Sequence, residues 1–182
     1  MKLRPTLWRT CRVIANETRL KLLWHIFAKG ELCVSQLVQR TGATQPNASN
    51  QLRALSARGL ITYRREKNNV IYRAEANNGV DFAPDLLEAL RQCHERSMSF
   101  KTVIRQATAF THERRIEIVR ALNGRKLSFG GLRDTTGISP AALSRHLEKL
   151  ETRGFIKRTD GLYRIGWPGN PLGRTLVDIA RY

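Results

Sequence analysis

The 182-residue sequence is poor in cysteine and in long apolar runs, and each shortage excludes a class of protein. Its 3 cysteines, Cys11, Cys33 and Cys93, form no C-x-x-C pair, which argues against a disulfide framework or a zinc site and predicts buried free thiols. No stretch approaches the ~18 apolar residues of a membrane span. Arg9 and Arg12 also interrupt the N-terminal segment before an apolar run could serve as a signal core. A cytoplasmic protein is therefore expected.

Arrangements of residues that could carry catalysis are lacking as well. The sequence contains no glycine-rich phosphate loop and no cluster of carboxylates. Ser144 and His146 lie two positions apart on one predicted helix, so their side chains point in different directions and cannot act as nucleophile and base. The sequence predicts neither an enzyme nor a bound cofactor.

Acidic residues are scarce: 15 Asp and Glu stand against 32 Lys and Arg, which gives a formal net charge of +17. Residues 1–80 carry 14 basic and 4 acidic residues, residues 81–110 carry 4 of each, and residues 111–182 carry 14 and 7. Two basic regions separated by a neutral one indicate a polyanionic partner that both regions contact.

What the chain does contain is one pattern of residues twice, about 95 positions apart. The copies share Thr41-Gly42, Ser49, Leu52, Leu55 and Arg58-Gly59 in the first and Thr136-Gly137, Ser144, Leu147, Leu150 and Arg153-Gly154 in the second. The leucines recur at helical spacing, and a hairpin follows each helix, turning at residues 66–69 and 160–161. This order predicts a unit that lays its second helix in the major groove of DNA. The expected fold class is mainly α with small β-hairpins (wings), a tandem winged helix-turn-helix.

The chain is predicted to divide into three parts. Residues 1–80 form a winged-helix DNA-binding domain, whose first helix begins near Pro5 and whose edge is marked by Asn77-Asn78-Gly79. Residues 81–110 form a helical connector that packs against the rest rather than binding nucleic acid. Residues 111–182 form the second winged-helix domain, which ends in a helix.

The second helix of each helix-turn-helix unit is the predicted recognition helix. Polar residues on its free face are the candidates for contact with DNA. Asn and Gln can bond the N6/N7 edge of adenine, and Arg can bond O6 and N7 of guanine. The candidates in the first copy are Thr44, Gln45, Asn47, Ser49, Asn50, Gln51 and Arg53, and those in the second are Ser139, Ala141, Ser144, Arg145, His146 and Lys149. Basic residues of the two hairpins are predicted to follow the phosphate backbone or a minor groove, namely Arg64, Arg65, Lys67, Lys157 and Arg158.

Residues 15–23 (ANETRLKLL) and 30–37 (GELCVSQL) resemble the opening of an ArsR-type winged-helix repressor. Residues 139–147 (SPAALSRHL) are similar to the recognition-helix pattern of that family. The resemblance covers residues 8–76 and, less closely, residues 108–165. It implies a bacterial or archaeal transcriptional regulator that represses by occupying promoter DNA.

The resemblance also raises the question of how the two copies assemble. Members of that family usually carry one module per chain and dimerise through their first and last helices. We therefore hypothesise an intramolecular pseudo-dimer, with helices near residues 5–14, 82–108 and 172–181 at the seam, while homodimerisation of two chains stays open. Metal-sensing members carry Cys-Val-Cys where this chain has Cys33-Val34-Ser35, and the missing thiolate argues against a metal site.

Two other functions are compatible with the charge and the repeat. The first is an RNA-binding tandem winged-helix protein; RNA recognition uses exposed aromatic side chains, whereas Trp8, Trp24 and Phe27 fall on apolar stripes. The second is a winged-helix scaffold for protein interactions, which would not need polar recognition helices together with basic wings. Double-stranded DNA is the partner that the sequence favours.

Overall fold

The computed structural model describes residues 6–182, so the predicted helix start at Pro5 lies outside the described residues. Eight elements follow one another in the order helix, helix, strand, helix, helix, strand, strand, helix, and this order occurs twice. The structure confirms a mainly α fold with small hairpins, arranged as a tandem winged helix-turn-helix.

The first set of elements occupies residues 7–95. It consists of α1 (Leu7–Ile14), α2 (Glu17–Lys29), β1 (Glu31–Cys33), α3 (Val34–Thr41), α4 (Gln45–Ser56), β2 (Thr62–Glu66), β3 (Asn69–Arg73) and α5 (Ala83–Glu95). The second set consists of α6 (Phe100–Ala107) with a 3-10 turn at Thr108–Phe110, α7 (Glu113–Ala121), β4 (Leu127–Ser128), α8 (Phe129–Thr136), α9 (Pro140–Glu151), β5 (Ile156–Thr159), β6 (Leu162–Ile165) and α10 (Pro171–Ala180).

The tight turn before each recognition helix depends on a glycine. Gly42 ends α3 and Gly137 ends α8, with φ of 67° and 63°, in the left-handed region that glycine enters without a steric penalty. Pro46 and Pro140 then stand in the first turns of α4 and α9, where a missing N–H leaves no bond unmade. The same local signals therefore build the same helix-turn-helix in both copies.

Each copy closes with a three-stranded antiparallel sheet, in the order β1-β3-β2 or β4-β6-β5. The predicted four-residue turn of the first hairpin was wrong, because Glu66 and Asn69 pair in register and leave only Lys67-Asn68 to turn. Lys67 adopts a φ of 51° there, which closes the turn in two residues.

Residues 81–110 do not form one connector helix. Residues 96–99 separate α5 from α6, and the Ser99 hydroxyl accepts a hydrogen bond from the Thr102 amide at 3.2 Å to start the new helix. α5 follows the first hairpin as α10 follows the second, and α6 precedes α7 as α1 precedes α2. The three-part division stays a prediction, and the element order favours two halves that meet between α5 and α6.

One continuous apolar core runs through both halves. The helices predicted to form a seam do contact one another: α10 packs on α5, α6 and α7, and α1 packs on α6 and α7. Leu90 of α5 and Leu176 of α10 are fully buried, as are Cys11 of α1 and Phe110 beside α6. We call α1, α5, α6 and α10 the seam helices. Across residues 6–182, the structure contains no helix with the length and apolarity to cross a bilayer.

Candidate nucleic-acid interface

The recognition helices α4 and α9 are each fixed by one apolar stripe. Ala48, Leu52 and Leu55 of α4 are buried, as are Leu143, Leu147 and Leu150 of α9. The stripe holds one side of each helix in the core, and the remaining side chains face outward. Both helices therefore present a free polar surface, as the sequence predicted.

On α4 the free surface carries amide side chains. Gln45, Asn47, Asn50 and Arg53 are exposed and Ser49 is half-buried, with Thr44 exposed just before the helix. Gln51 is held inward, because its Oε1 accepts a hydrogen bond from Nη1 of Arg19 at 2.6 Å. Its Nε2 in turn donates to Oδ1 of Asn47 at 2.9 Å. Gln51 thus links the half-buried Arg19 to Asn47, an exposed candidate base reader.

On α9 the free surface is charged, with Glu148 and Glu151 exposed as well as basic side chains. Arg145 and Lys149 are exposed together with Ser139, Ala141 and Ser144. His146 is half-buried, with Nδ1 3.5 Å from Nη1 of Arg115 and its ring 4.7 Å from that of His112. His146 therefore occupies in α9 the place that Gln51 occupies in α4.

Arg19 and Arg115 make contacts between distant elements that the sequence did not reveal. Arg19 donates to the Val13 carbonyl at 2.6 Å and the Arg12 carbonyl at 3.2 Å, at the end of α1. Arg115 donates to the carbonyls of Ala109 and Thr108. These two residues stand 96 positions after Val13 and Arg12, so the contacts of the two arginines correspond. Each guanidinium thus ties a seam helix to a recognition helix. The signal available in the sequence was an arginine at the same place in both copies.

In the second half, the surroundings of Arg115 and His146 shift the pKa values of both side chains. Burial lowers the pKa of Arg115 to about 10, and the neighbouring Arg153 adds to the effect. Burial also lowers the pKa of His146 to about 4, and the charges of His112 and Arg115 act in the same direction. At neutral pH His146 is therefore uncharged and Arg115 remains a cation.

A His146→Gln variant is expected to resist acid better than the parent chain, because it puts the residue of the first copy at this position. The folded-state pKa of His146, about 4, lies below its ordinary value of 6.5. The unfolded chain therefore binds this proton first, and stability present above pH 6.5 is lost as the pH falls towards 4. Urea midpoints at pH 7 and pH 4.5 test this. Ser144→Gln, on the same helix, should keep the parental loss, and an equal loss in His146→Gln would contradict the assignment.

The first wing divides its basic residues between two faces. Side chains alternate along β2, so Arg64 and Arg65 point to opposite sides. Arg64 forms ion pairs with Glu31 at 3.0 Å and Glu66 at 3.1 Å, and Arg73 also bonds Glu31. The hydrogen bonds from Arg73 lower the pKa of Glu31, which stays ionised. On this face acidic partners offset the arginines.

The other face of the wing turns towards α4. Here Arg65, Tyr63 and Tyr72 enclose, with Arg53 of α4, a groove of about 400 Å³. Tyr63 is 58% exposed beside these two arginines and was not among the predicted DNA contacts. Its position two residues before Arg65 on a strand was the available signal. Lys67 is exposed at the tip of the wing.

The second wing is shorter and also carries its basic residues on two faces. Arg158 lies 5.4 Å from the centre of the Tyr163 ring, its partner in the strand register. Lys157 lies opposite Arg164 on the other face. Both Lys157 and Arg158 are exposed, so these two side chains are accessible for the predicted contacts with the phosphate backbone of DNA.

The three cysteines are free thiols in three different environments. Cys11 is fully buried, and burial raises its pKa far above the ordinary range. Cys33 is half-buried, so the prediction of a buried thiol was wrong for this residue, and its Sγ lies 3.1 Å from Oγ of Ser35. Cys93 is buried in α5, where burial raises its pKa. In residues 6–182 no three His, Cys, Asp or Glu side chains converge as metal ligands would.

Comparisons with known proteins match the two copies separately. The family described as "Bacterial regulatory protein, arsR family" matches residues 16–63 and again residues 112–158. The HTH-type transcriptional regulator KmtR of Mycobacterium tuberculosis is 33% identical over 64 residues, which are 35% of this chain and 48% of KmtR. This chain thus spans about half the length of that relative. Reduced HlyU from Vibrio cholerae has a TM-score of 0.41 at 24% identity, covering 50% of this chain and 87% of HlyU.

The two matched segments lie on the helix-turn-helix units built by α2 to α4 and by α7 to α9, and together they make up more than half of the chain. The chain therefore belongs to the arsR family of bacterial regulatory proteins, and it carries the helix-turn-helix unit of that family twice.

Proposed function

We propose that the protein is a transcriptional regulator that binds specific double-stranded DNA with both recognition helices and represses by occupying promoter DNA. The observation that carries the proposal is the pairing of two unlike recognition surfaces on one continuous core. The amide surface of α4 and the charged surface of α9, which carries Arg145 and Lys149, are each exposed, while the seam helices join their halves.

The contact between the two halves is the basis for a pseudo-dimer within one chain. α5 of the first half packs on α10 of the second, and these two helices hold the same place in the repeated element order. α1 and α6, which also correspond, pack on each other. A family member that dimerises through its first and last helices would join two chains by this arrangement.

The candidate DNA contacts divide by chemistry. Asn47 and Asn50 of α4 suit adenine, and Arg145 of α9 suits guanine, so the two half-sites should differ. Phosphate contacts are assigned to Arg53, Arg65, Lys67, Lys149, Lys157 and Arg158, and further polar contacts to Thr44, Gln45, Ser49, Ser139, Ala141 and Ser144. Gln51 and His146 are assigned a positioning role, because each already contacts an anchoring arginine.

Selection from random duplex DNA tests this proposal, with the mass of the bound complex measured by light scattering. One chain on an asymmetric site with two unlike halves is the expected result. A palindrome bound by two chains would replace the pseudo-dimer with a homodimer. Failure to enrich any duplex would contradict the proposal and favour RNA or a protein as the partner, and gel shifts with RNA would then separate these two.

The two faces of the first wing give a matched pair of variants. Arg65→Ala should weaken DNA binding roughly tenfold, because it removes one phosphate contact. The slope of log affinity against log salt concentration should become shallower by about 1. Arg64→Ala should change affinity less than about twofold, because Glu31 and Glu66 already neutralise that side chain. Affinities measured across a salt series check both. A larger loss in Arg64→Ala would place the opposite face of the wing on DNA.

A further inference from the structure

A cavity of about 610 Å³ lies between α1, α7 and α10, at the start of α5. This volume is within the ~300–1,000 Å³ range of small-molecule sites in proteins. The cavity is on the seam, apart from the free faces of α4 and α9. It is therefore separate from the candidate DNA contacts.

The corresponding place in the first half is filled. The repeat relates α1, α7 and α10 to α6, α2 and α5, and there Trp24 of α2 packs among aromatic rings. The Trp24 ring lies 5.6 Å from His94, 5.7 Å from Phe27 and 5.7 Å from Phe100. Arg120 stands 96 positions after Trp24 and lines the open cavity instead. Packing of the seam does not in itself require an open space here.

The lining of the cavity is largely apolar and contains more carboxylates than basic groups, and the guanidinium groups of Arg9 and Arg12 stack on the Trp8 ring at 4.9 and 4.6 Å. Leu7, Trp8, Phe82, Ile116 and Ile179 supply apolar surface. Asp81, Glu113 and Glu117 supply three carboxylates, and among the described residues Arg120 is the one basic side chain of the lining. Glu117 pairs with Arg114 at 2.9 Å. Asp81 and Glu113 are exposed and, within residues 6–182, form no ion pair.

We propose that this cavity binds a small organic cation, with an apolar body against the walls and an ammonium or amidinium group at Asp81 and Glu113. A concentration of carboxylates is unusual on a chain whose net charge is +17. Two exposed carboxylates in the lining of a largely apolar cavity match a ligand with a positive end and an apolar body. Binding itself does not depend on the proposed function.

The helix α7 connects the cavity to the recognition helix α9. Ile116 in its wall follows Arg115, which contacts the ring of His146. A ligand that shifts α7 would move this anchor and change DNA affinity. This second step rests on the proposed function, and its failure would leave the binding result untouched.

Three probes with one ring system test the ligand class in calorimetric titrations: 2-naphthylmethylammonium, 2-naphthylmethanol and 2-naphthoate. The cation should bind at least about fivefold more tightly than the alcohol, and the carboxylate should bind most weakly. The Asp81→Asn, Glu113→Gln double variant should abolish the preference. Glu95→Gln at the far end of α5 is the matched control and should preserve it. Equal binding of all three probes, or preference for the carboxylate at Arg120, would overturn the proposal.

Two substitutions at Arg120 test the location of the site. Arg120→Trp puts the residue of the first half into the cavity and should abolish binding of all three probes. Arg120→Ala removes a positive charge without filling the space and should tighten cation binding about two- to fivefold. Arg120 is exposed, and matching unfolding midpoints would show that both variants fold. Undiminished binding by Arg120→Trp would place the probe elsewhere and refute the assignment.

Discussion

Phe110→Ala should lower the free energy of unfolding by about 3–5 kcal/mol, the cost of deleting a large aromatic side chain from a packed core. Phe110 is fully buried, and its ring meets Phe155 edge to face at a centroid distance of 4.8 Å. The loss should reach both halves, because one apolar core joins them. Denaturant titrations followed by circular dichroism measure it.

Tryptophan fluorescence shows whether the halves unfold together. Trp24 reports on the first half and Trp167 on the second, so single-tryptophan versions of Phe110→Ala should give the same lowered midpoint at both positions. Leu162→Ala, in a side chain 38% exposed on the second wing, is the control and should cost less than about 1 kcal/mol. A parental midpoint at Trp24 would mean that the halves unfold independently.

Arg145→Ala should reduce specific DNA binding by about 1–3 kcal/mol and relax base choice at one position of one half-site. Arg145 is exposed on α9, on the side opposite the buried leucines. A guanidinium there can bond O6 and N7 of guanine together, and alanine leaves both acceptors without a protein donor. Binding to a panel of single-base operator variants measures the change in preference.

Lys149→Ala is the matched comparison for Arg145→Ala, since it removes a positive charge one turn away on the same helix. It should weaken binding to all operator variants by a similar factor, as expected for a phosphate contact. A uniform loss in Arg145→Ala would instead class Arg145 as a phosphate contact. The role of guanine reader would then fall to another residue of α9.

The features that the sequence predicted are those that depend on local pattern. Apolar stripes at helical spacing identified α4 and α9 and their buried residues, and Gly42 and Gly137 marked the turns before them. The Asp160-Gly161 pair likewise marked the turn of the second wing. These signals act within a few residues, so a single sequence is enough to interpret them.

The features that the sequence did not predict depend on contacts between distant residues. Gln51 is drawn inward by Arg19, which is 32 positions away, and His146 by Arg115, 31 positions away. Glu31 neutralises Arg64 across 33 positions. The separation of Arg64 and Arg65 onto opposite faces was different, because strand alternation already implied it. The prediction nevertheless placed both Arg64 and Arg65 on DNA.

The contact between α5 and α10 has a consequence for how such a protein can change over time. In a symmetric dimer of identical chains, every substitution appears on both sides of the assembly. Here α4 and α9 are encoded separately within one polypeptide, so a change at Asn50 leaves Arg145 as it was. The two halves also cannot separate on dilution, because their association is unimolecular. A single chain therefore carries α4 and α9 together at any protein concentration.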